Sequence, residues 1–82
     1  MSIRHRLQRL LLAGEIEVVL GSLTVLADQL GDNKLMNEAV HLHDRYRRLR
    51  QADAAELLSP AAYEKEMEQL RLSLQLVIDQ LP

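Results

Sequence analysis

Residues 14–31 of this 82-residue chain read GEIEVVLGSLTVLADQLG, and this stretch decides the fold. Its apolar residues recur at spacings of three and four, the period of an amphipathic α-helix. A glycine stands at each end, where helices most often stop in the left-handed conformation. Glu15 and Glu17 favour a helix start because carboxylates in the first turn complement the helix dipole. The sequence therefore predicts a helix over residues 15–30, whose buried face is formed by Ile16, Val19, Leu20, Leu23, Ala27 and Leu30.

Three further segments carry the same period, over residues 3–13, 33–56 and 60–81. Asp32 or Asn33 caps the third helix, and Ser59-Pro60 is a strong start signal for the fourth. Their predicted inward residues are Ile3, Leu7, Leu10, Leu11, Leu35, Ala39, Leu42, Tyr46, Leu49, Tyr63, Met67, Leu70, Leu74, Val77 and Leu81. Short connections make consecutive helices antiparallel. The predicted fold class is all-α, a four-helix antiparallel bundle with helices at about 3–13, 15–30, 33–56 and 60–81.

The length and composition of the chain limit the classes of protein to which it can belong. A chain of this length forms a single domain over residues 1–82, with 48% hydrophobic residues and only two aromatic side chains, both tyrosines. Such a core suits helices better than sheets, which are enriched in aromatic and β-branched residues. The absence of cysteine excludes disulfides and thiolate zinc sites and is typical of a reducing cytoplasm. No apolar run reaches the ~18 residues of a membrane span, so we expect a cytoplasmic protein with no membrane partner.

Residues 70–76, LRLSLQL, alternate apolar and polar residues as a β-strand does. We expect a helix instead, because the segment follows a helix cap, Gln and Leu favour helices, and the sequence offers no partner strand. At ~100° per residue, Leu72 and Leu76 then point away from the buried face. Val18 and Val25 do the same on the second helix, where Gly21 and Ser22 lie between them. Two interpretations remain open: burial of a central fourth helix on several sides, or self-association through these outer faces.

The residues offer no catalytic chemistry. His41 and His43 lie ~200° apart on a helix and cannot share a metal ion. Ser22, Ser59 and Ser73 have no His–Asp partners nearby, and the three glycines form no phosphate-binding loop. We expect no enzymatic activity, no cofactor and no metal.

The segment Asp44–Arg50 contains four arginines, Arg45, Arg47, Arg48 and Arg50, in a chain whose net charge is −2. One interpretation is a nucleic-acid surface, but that needs a basic face with stacking aromatics, and Tyr46 points inward. A second is a solvated face with intrahelical pairs such as Asp44–Arg48 and Arg50–Asp53. The third is a docking surface, because the first helix is basic, the second and fourth are acidic, and such bundles can dock head-to-tail or onto a complementary partner.

Four stretches together suggest a family. They are LLLAGEIEVVL at 10–20, NEAVHLHDRYRRL at 37–49, LSPAAYEKE at 58–66 and LRLSL at 70–74. In this order and spacing they resemble the effector-associated domains, in particular the eleventh class, over nearly the whole chain. Arg45, Tyr46 and Leu49 are the most telling positions. The chain departs from the family after the third helix, where Ala54-Ala55-Glu56 stands in place of a glycine and is expected to lengthen that helix.

The resemblance implies a small, non-catalytic adaptor domain of bacterial conflict, immunity or signalling proteins. Such domains are thought to associate with like domains and so couple an effector to a sensor or an NTPase. On this basis the chain is expected to be excised from, or associated with, a larger multidomain protein.

The sequence thus predicts a protein-interaction module that forms a homodimer or higher oligomer with the same or a related helical domain. Its predicted interaction residues are Arg45, Arg47, Arg48, Arg50, Leu72, Leu76, Val18 and Val25. Two alternatives stay open: a nucleic-acid-binding regulator that uses residues 45–50, which the charge balance disfavours, and a purely structural oligomerisation bundle.

Overall fold

The computed structural model describes residues 2–81 and contains four helices in that range. They are α1 (Ile3–Leu12), α2 (Ile16–Leu30), α3 (Asn33–Ala54) and α4 (Pro60–Asp79). The predicted all-α class and all four helices are confirmed, with every boundary within two residues of its expected place. The alternating stretch 70–76 is helical, as expected.

Side chains cap three of the four helix starts. The hydroxyl of Ser2 accepts from the backbone N–H of His5 at 3.1 Å, and that of Ser59 accepts from the N–H of Ala62 at 3.1 Å. The Asp32 carboxylate accepts from the N–H of Leu35 at 3.0 Å. Each cap satisfies one of the backbone donors that have no partner inside the helix, a contribution of about 1 kcal/mol.

Each of the first three helices ends in the same hydrogen-bonded turn with one residue in the left-handed conformation. Glycine takes that position after α1 and α2, with φ of 80° at Gly14 and 63° at Gly31. After α3 the position is held by Glu56, with φ of 59°. The N–H of Leu57 then donates to the carbonyl of Ala52 at 2.9 Å, which closes the turn. The expectation that residues 54–56 lengthen the helix was wrong, because the left-handed turn ends α3 at Ala54 even without glycine.

The helices pack in a ring in which each one touches its two neighbours: α1 against α2, α2 against α3, α3 against α4, and α4 against α1. Consequently α2 and α4 lie diagonally across the bundle, as do α1 and α3. Their outward faces point in opposite directions.

Within residues 2–81 the core is wholly apolar. Its fifteen buried residues are Leu7, Leu11, Ile16, Val19, Leu20, Leu23, Ala27, Leu35, Ala39, Leu42, Leu70, Leu74, Val77, Ile78 and Leu81. Two positions differ from the predicted stripes. Leu30 is 55% exposed, because it stands at the end of α2 where the chain turns away. Ile78 is fully buried although the predicted stripe omitted it, because it follows Leu74 by one helical turn.

The α3–α4 hairpin extends beyond the α1–α2 hairpin at one end. α3 has 22 residues against 15 in α2, and α4 has 20 against 10 in α1. The fully buried residues of α3 therefore stop at Leu42, and those of α4 begin at Leu70. Beyond them the inward side chains Tyr46, Leu49 and Met67 are only partly covered.

Replacing Glu56 with glycine should stabilise the fold. A side chain costs ~1–2 kcal/mol in the left-handed region, whereas glycine loses ~0.5–1 kcal/mol more entropy on folding. The net gain of about 0.5–1 kcal/mol corresponds to a melting temperature roughly 2–8 °C higher for a domain of this size. Thermal unfolding followed by circular dichroism measures it.

The matched control is Glu64→Gly, the same change at an exposed position inside α4. There the backbone is helical, so the change should lower stability by about 1 kcal/mol. A Glu56→Gly variant that melts at or below the temperature of the native chain would contradict the account of this turn.

Candidate interaction surfaces

The outer face of α4 carries two exposed leucines. Leu72 is 57% exposed and Leu76 is 65% exposed, whereas Leu70 and Leu74 on the opposite side are buried. Burial on several sides therefore does not account for these leucines, because α4 has neighbours only on its inward side. They form an apolar ridge one helical turn apart, named here the α4 ridge (Leu72 and Leu76).

The outer face of α2 carries a second apolar surface. Val18 is 47% exposed and Val25 is 56% exposed, and Gly21 lies between them without a side chain. A groove of about 720 Å³ runs along one side of α2 against α3, and another of about 490 Å³ runs along the other side against α1. Gly21 and Val25 line both grooves. The name α2 groove is used here for this surface (Val18, Gly21, Ser22 and Val25).

The sequence patterns missed Val40 as part of this region. It is 55% exposed and lines the α2–α3 groove opposite Val25. The sequence does contain a sign of it. Val40 lies off the α3 core stripe and on the same helix face as Asp44, where a solvated helix would carry a polar residue.

The four apolar residues among the predicted interaction residues therefore fall on two separate surfaces. The valines of α2 and the leucines of α4 belong to diagonally opposite helices, and both pairs face outward. The structure does not bring them together into one patch within the chain.

The four arginines do not share one face of α3. Arg45 is partly buried and its Nη1 donates to the hydroxyl of Ser73 on α4 at 3.5 Å. Arg47 and Arg48 both pair with the carboxylate of Asp44, the second at 2.9 Å. The expected Asp44–Arg48 pair is therefore confirmed. These pairs are exposed, and exposed pairs contribute at most about 1 kcal/mol each.

Arg50 has a different neighbour from the one expected. The salt bridges found within residues 2–81 do not include one between Arg50 and Asp53. Instead, hydrogen bonding to Tyr63 raises the pKa of the Arg50 guanidinium, and the nearby Tyr46 adds to the shift. The arginines thus lie on several sides of α3 and most have a partner inside the chain, which weakens the case for a continuous basic surface.

Tyr46 lies at the end of the bundle where the α3–α4 hairpin extends beyond the α1–α2 hairpin, and it connects the core to the surface. Its ring packs against the core, and its hydroxyl donates to Oε1 of Glu17 on α2 at 3.3 Å. Burial raises the pKa of the Tyr46 hydroxyl, and the negative charge of Glu17 raises it further. The expected inward position of Tyr46 is confirmed.

Among residues 2–81, no three His, Cys, Asp or Glu side chains come together in a way that could hold a metal ion. Both histidines of α3 are exposed. None of the described helices combines the length and the apolar character that crossing a membrane would require.

Comparison with known proteins gives one family match. The model of the family described as Effector-associated domain 11 matches residues 2–82, essentially the whole chain. Neither the curated proteins nor the solved structures contain a significant match.

The Tyr46–Glu17 contact can be tested by titration. Tyr63→Phe leaves Tyr46 as the sole tyrosine in a chain without tryptophan, so tyrosinate absorbance reports it alone. We expect a midpoint above the ordinary pKa of about 10. Glu17→Gln in the same background should lower that midpoint, because it removes the neighbouring negative charge.

The sign of the effect on stability follows from the raised pKa. Folding favours the neutral hydroxyl, so the contribution is complete below the unfolded-state pKa and is lost as pH rises through the folded-state pKa. Titration in denaturant supplies the unfolded reference. Equal folded and unfolded midpoints would show that Tyr46 is solvated and not held against Glu17.

Proposed function

The chain belongs to the Effector-associated domain 11 family, and we propose that it is a non-catalytic adaptor module that acts by associating with the same or a related helical domain. Through this association it couples an effector to a sensor or an NTPase in a bacterial conflict or immunity system. The proposal includes a cytoplasmic setting and a place within, or beside, a larger multidomain protein.

The observation that carries the proposal is the exposure of Leu72 and Leu76 on the outside of α4. Neither leucine belongs to the fifteen-residue core, and more than half of each is exposed. Covering a fully exposed leucine side chain gains about 1.5–3 kcal/mol. An apolar ridge of this kind on an otherwise charged helix favours a surface that is covered by a partner.

In the proposed contact, the arginines of α3 set the alignment of the partner more than they contribute to the binding free energy. Arg47 and Arg48 are exposed and already share Asp44, so a partner carboxylate would compete with an existing pair. Such rim charges steer association and exclude unsuitable partners, while the apolar contacts supply most of the free energy. Arg45 donates a hydrogen bond to Ser73, so its main contact is between α3 and α4 within the chain.

Self-association can be tested by sedimentation equilibrium over a wide range of concentration. We expect the mass of the native chain to rise with concentration. Changing both ridge residues, Leu72→Gln with Leu76→Gln, should leave a folded monomer, because each substitution removes apolar surface from the outside of α4.

The matched control is Leu12→Gln with Leu57→Gln. Both leucines are 77% exposed, and neither lies on the α4 ridge or in the α2 groove. This variant loses the same number of surface leucines and should associate like the native chain. A native chain that stays monomeric at every concentration, alone in solution, would contradict homotypic association.

A further inference from the structure

The outer end of the α3–α4 hairpin, residues 47–66, contains no buried residue, whereas all fifteen core residues lie outside it. Tyr46 and Met67 stand at its two borders, and both pack against the core. Within it, Leu49 and Leu58 are only partly covered and Leu57 is 77% exposed. Because apolar burial is the dominant favourable term in folding, this segment, named here the hairpin end, contributes little to the stability of the fold.

Hydrogen bonds hold the inner border of the hairpin end in place. Nη1 of Arg45 donates to the hydroxyl of Ser73 on α4 at 3.5 Å. The hydroxyl of Tyr46 donates to Oε1 of Glu17 on α2 at 3.3 Å. Together with the packing of Tyr46 against the core, these contacts attach this turn of α3 to both of its neighbours.

Beyond that border, few polar contacts join the two helices of the hairpin. A hydrogen bond between Arg50 and Tyr63 connects them inside the hairpin end. The salt bridges found within residues 2–81 each join two residues of one helix, so none of them ties α3 to α4. Most of the remaining hydrogen bonds of this segment are backbone bonds within a helix or within the closing turn, and these do not hold one helix against the other.

We propose that the hairpin end opens as a unit of its own while the four-helix core stays folded. Regions with few buried apolar contacts open locally at a lower free energy than the whole fold requires. Opening separates α3 from α4 beyond Tyr46 and Met67 and uncovers the inward sides of Leu49 and Leu58. Any interaction that favours one of the two states changes their ratio, so the hairpin end can act as a conformational switch.

The helices themselves do not prevent this opening. Residues 47–54 are the last two turns of α3, and residues 60–66 are the first two turns of α4. Each added residue stabilises a helix only slightly, so short helical segments without tertiary packing are marginal in water. Once separated, both segments should fray from the turn at Glu56 toward the core, and their backbone amides should become exposed to solvent.

Amide hydrogen exchange of the native chain, resolved residue by residue, tests the proposal. We expect the helical amides of the hairpin end to be protected at least roughly 100-fold less than the best-protected amides of α2 and of residues 70–78. Low concentrations of denaturant should change exchange in the hairpin end only weakly, because opening exposes little surface. The proposal does not depend on self-association, so its failure would leave the proposed adaptor function untouched.

The decisive variant is Ile78→Val, a mild change at a fully buried position far along α4 from the hairpin end. Loss of one methylene from the core should lower protection about 2–10-fold at amides that exchange only through unfolding of the whole chain. Amides of the hairpin end should keep their native exchange rates, because Ile78 stays packed when that end opens.

The matched variant is Leu49→Ala, which removes packing from inside the hairpin end. Opening breaks this packing, so protection within the hairpin end should fall at least about 5-fold. The proposal is overturned if Ile78→Val lowers protection equally in the hairpin end and in the core, since the chain would then unfold as one unit. Protection in the hairpin end equal to that of the core, or unchanged by Leu49→Ala, would overturn it as well.

Discussion

The ring of four helices limits how much apolar surface each helix can bury, and most features of this molecule follow from that limit. Every helix has two neighbours and one inward face, so a single stripe of apolar residues at spacings of three and four is enough to fill that face. α2 and α4 carry more apolar residues than one stripe requires. The surplus has no inward position available, so Leu72, Leu76, Val18 and Val25 lie at the surface. Their exposure results from topology and not from loose packing, because the core beneath them is fully buried.

Local sequence determined the elements because the signals for each helix are short-range. Spacing within α2, the serines before α1 and α4, and glycines at two helix ends act within a few residues, and all could be read from the sequence. The exposed position of Leu30 could not, since it depends on where the neighbouring chain turns away. Glu56 shows the same limit at the backbone: hydrogen bonds of the closing turn hold a residue that would rarely adopt this conformation alone. The sequence could predict that α2 and α4 carry apolar residues on their outer faces, because the spacing along each helix sets which way a side chain points. It could not predict that these faces lie on opposite sides of the bundle, because that depends on the order of the helices around the ring.

The arginine cluster illustrates the difference between density along the sequence and density on a surface. Successive residues of a helix are rotated by ~100°, so four arginines among six residues spread around α3 instead of forming one face. Arg45 reaches α4, Arg47 and Arg48 share Asp44, and Arg50 lies beside Tyr63. A nucleic-acid surface needs cations that converge on one phosphate path. Here the cations are directed to different partners within the chain, which favours local pairing over a nucleic-acid surface.

The size of the apolar surfaces bears on how such a module would operate. Covering the two leucines of α4 and the two valines of α2, each about half exposed, would gain on the order of 3–6 kcal/mol. Loss of translational and rotational freedom opposes association by ~4 kcal/mol or more, so one contact between free domains is weak. Tethering raises the local concentration to roughly millimolar, where weak contacts become occupied. Under the proposed function, a domain of this kind would respond to the clustering of the proteins that carry it. A weak contact suits the proposed coupling of an effector to a sensor, because a tight contact would hold the effector assembled before any signal arrived.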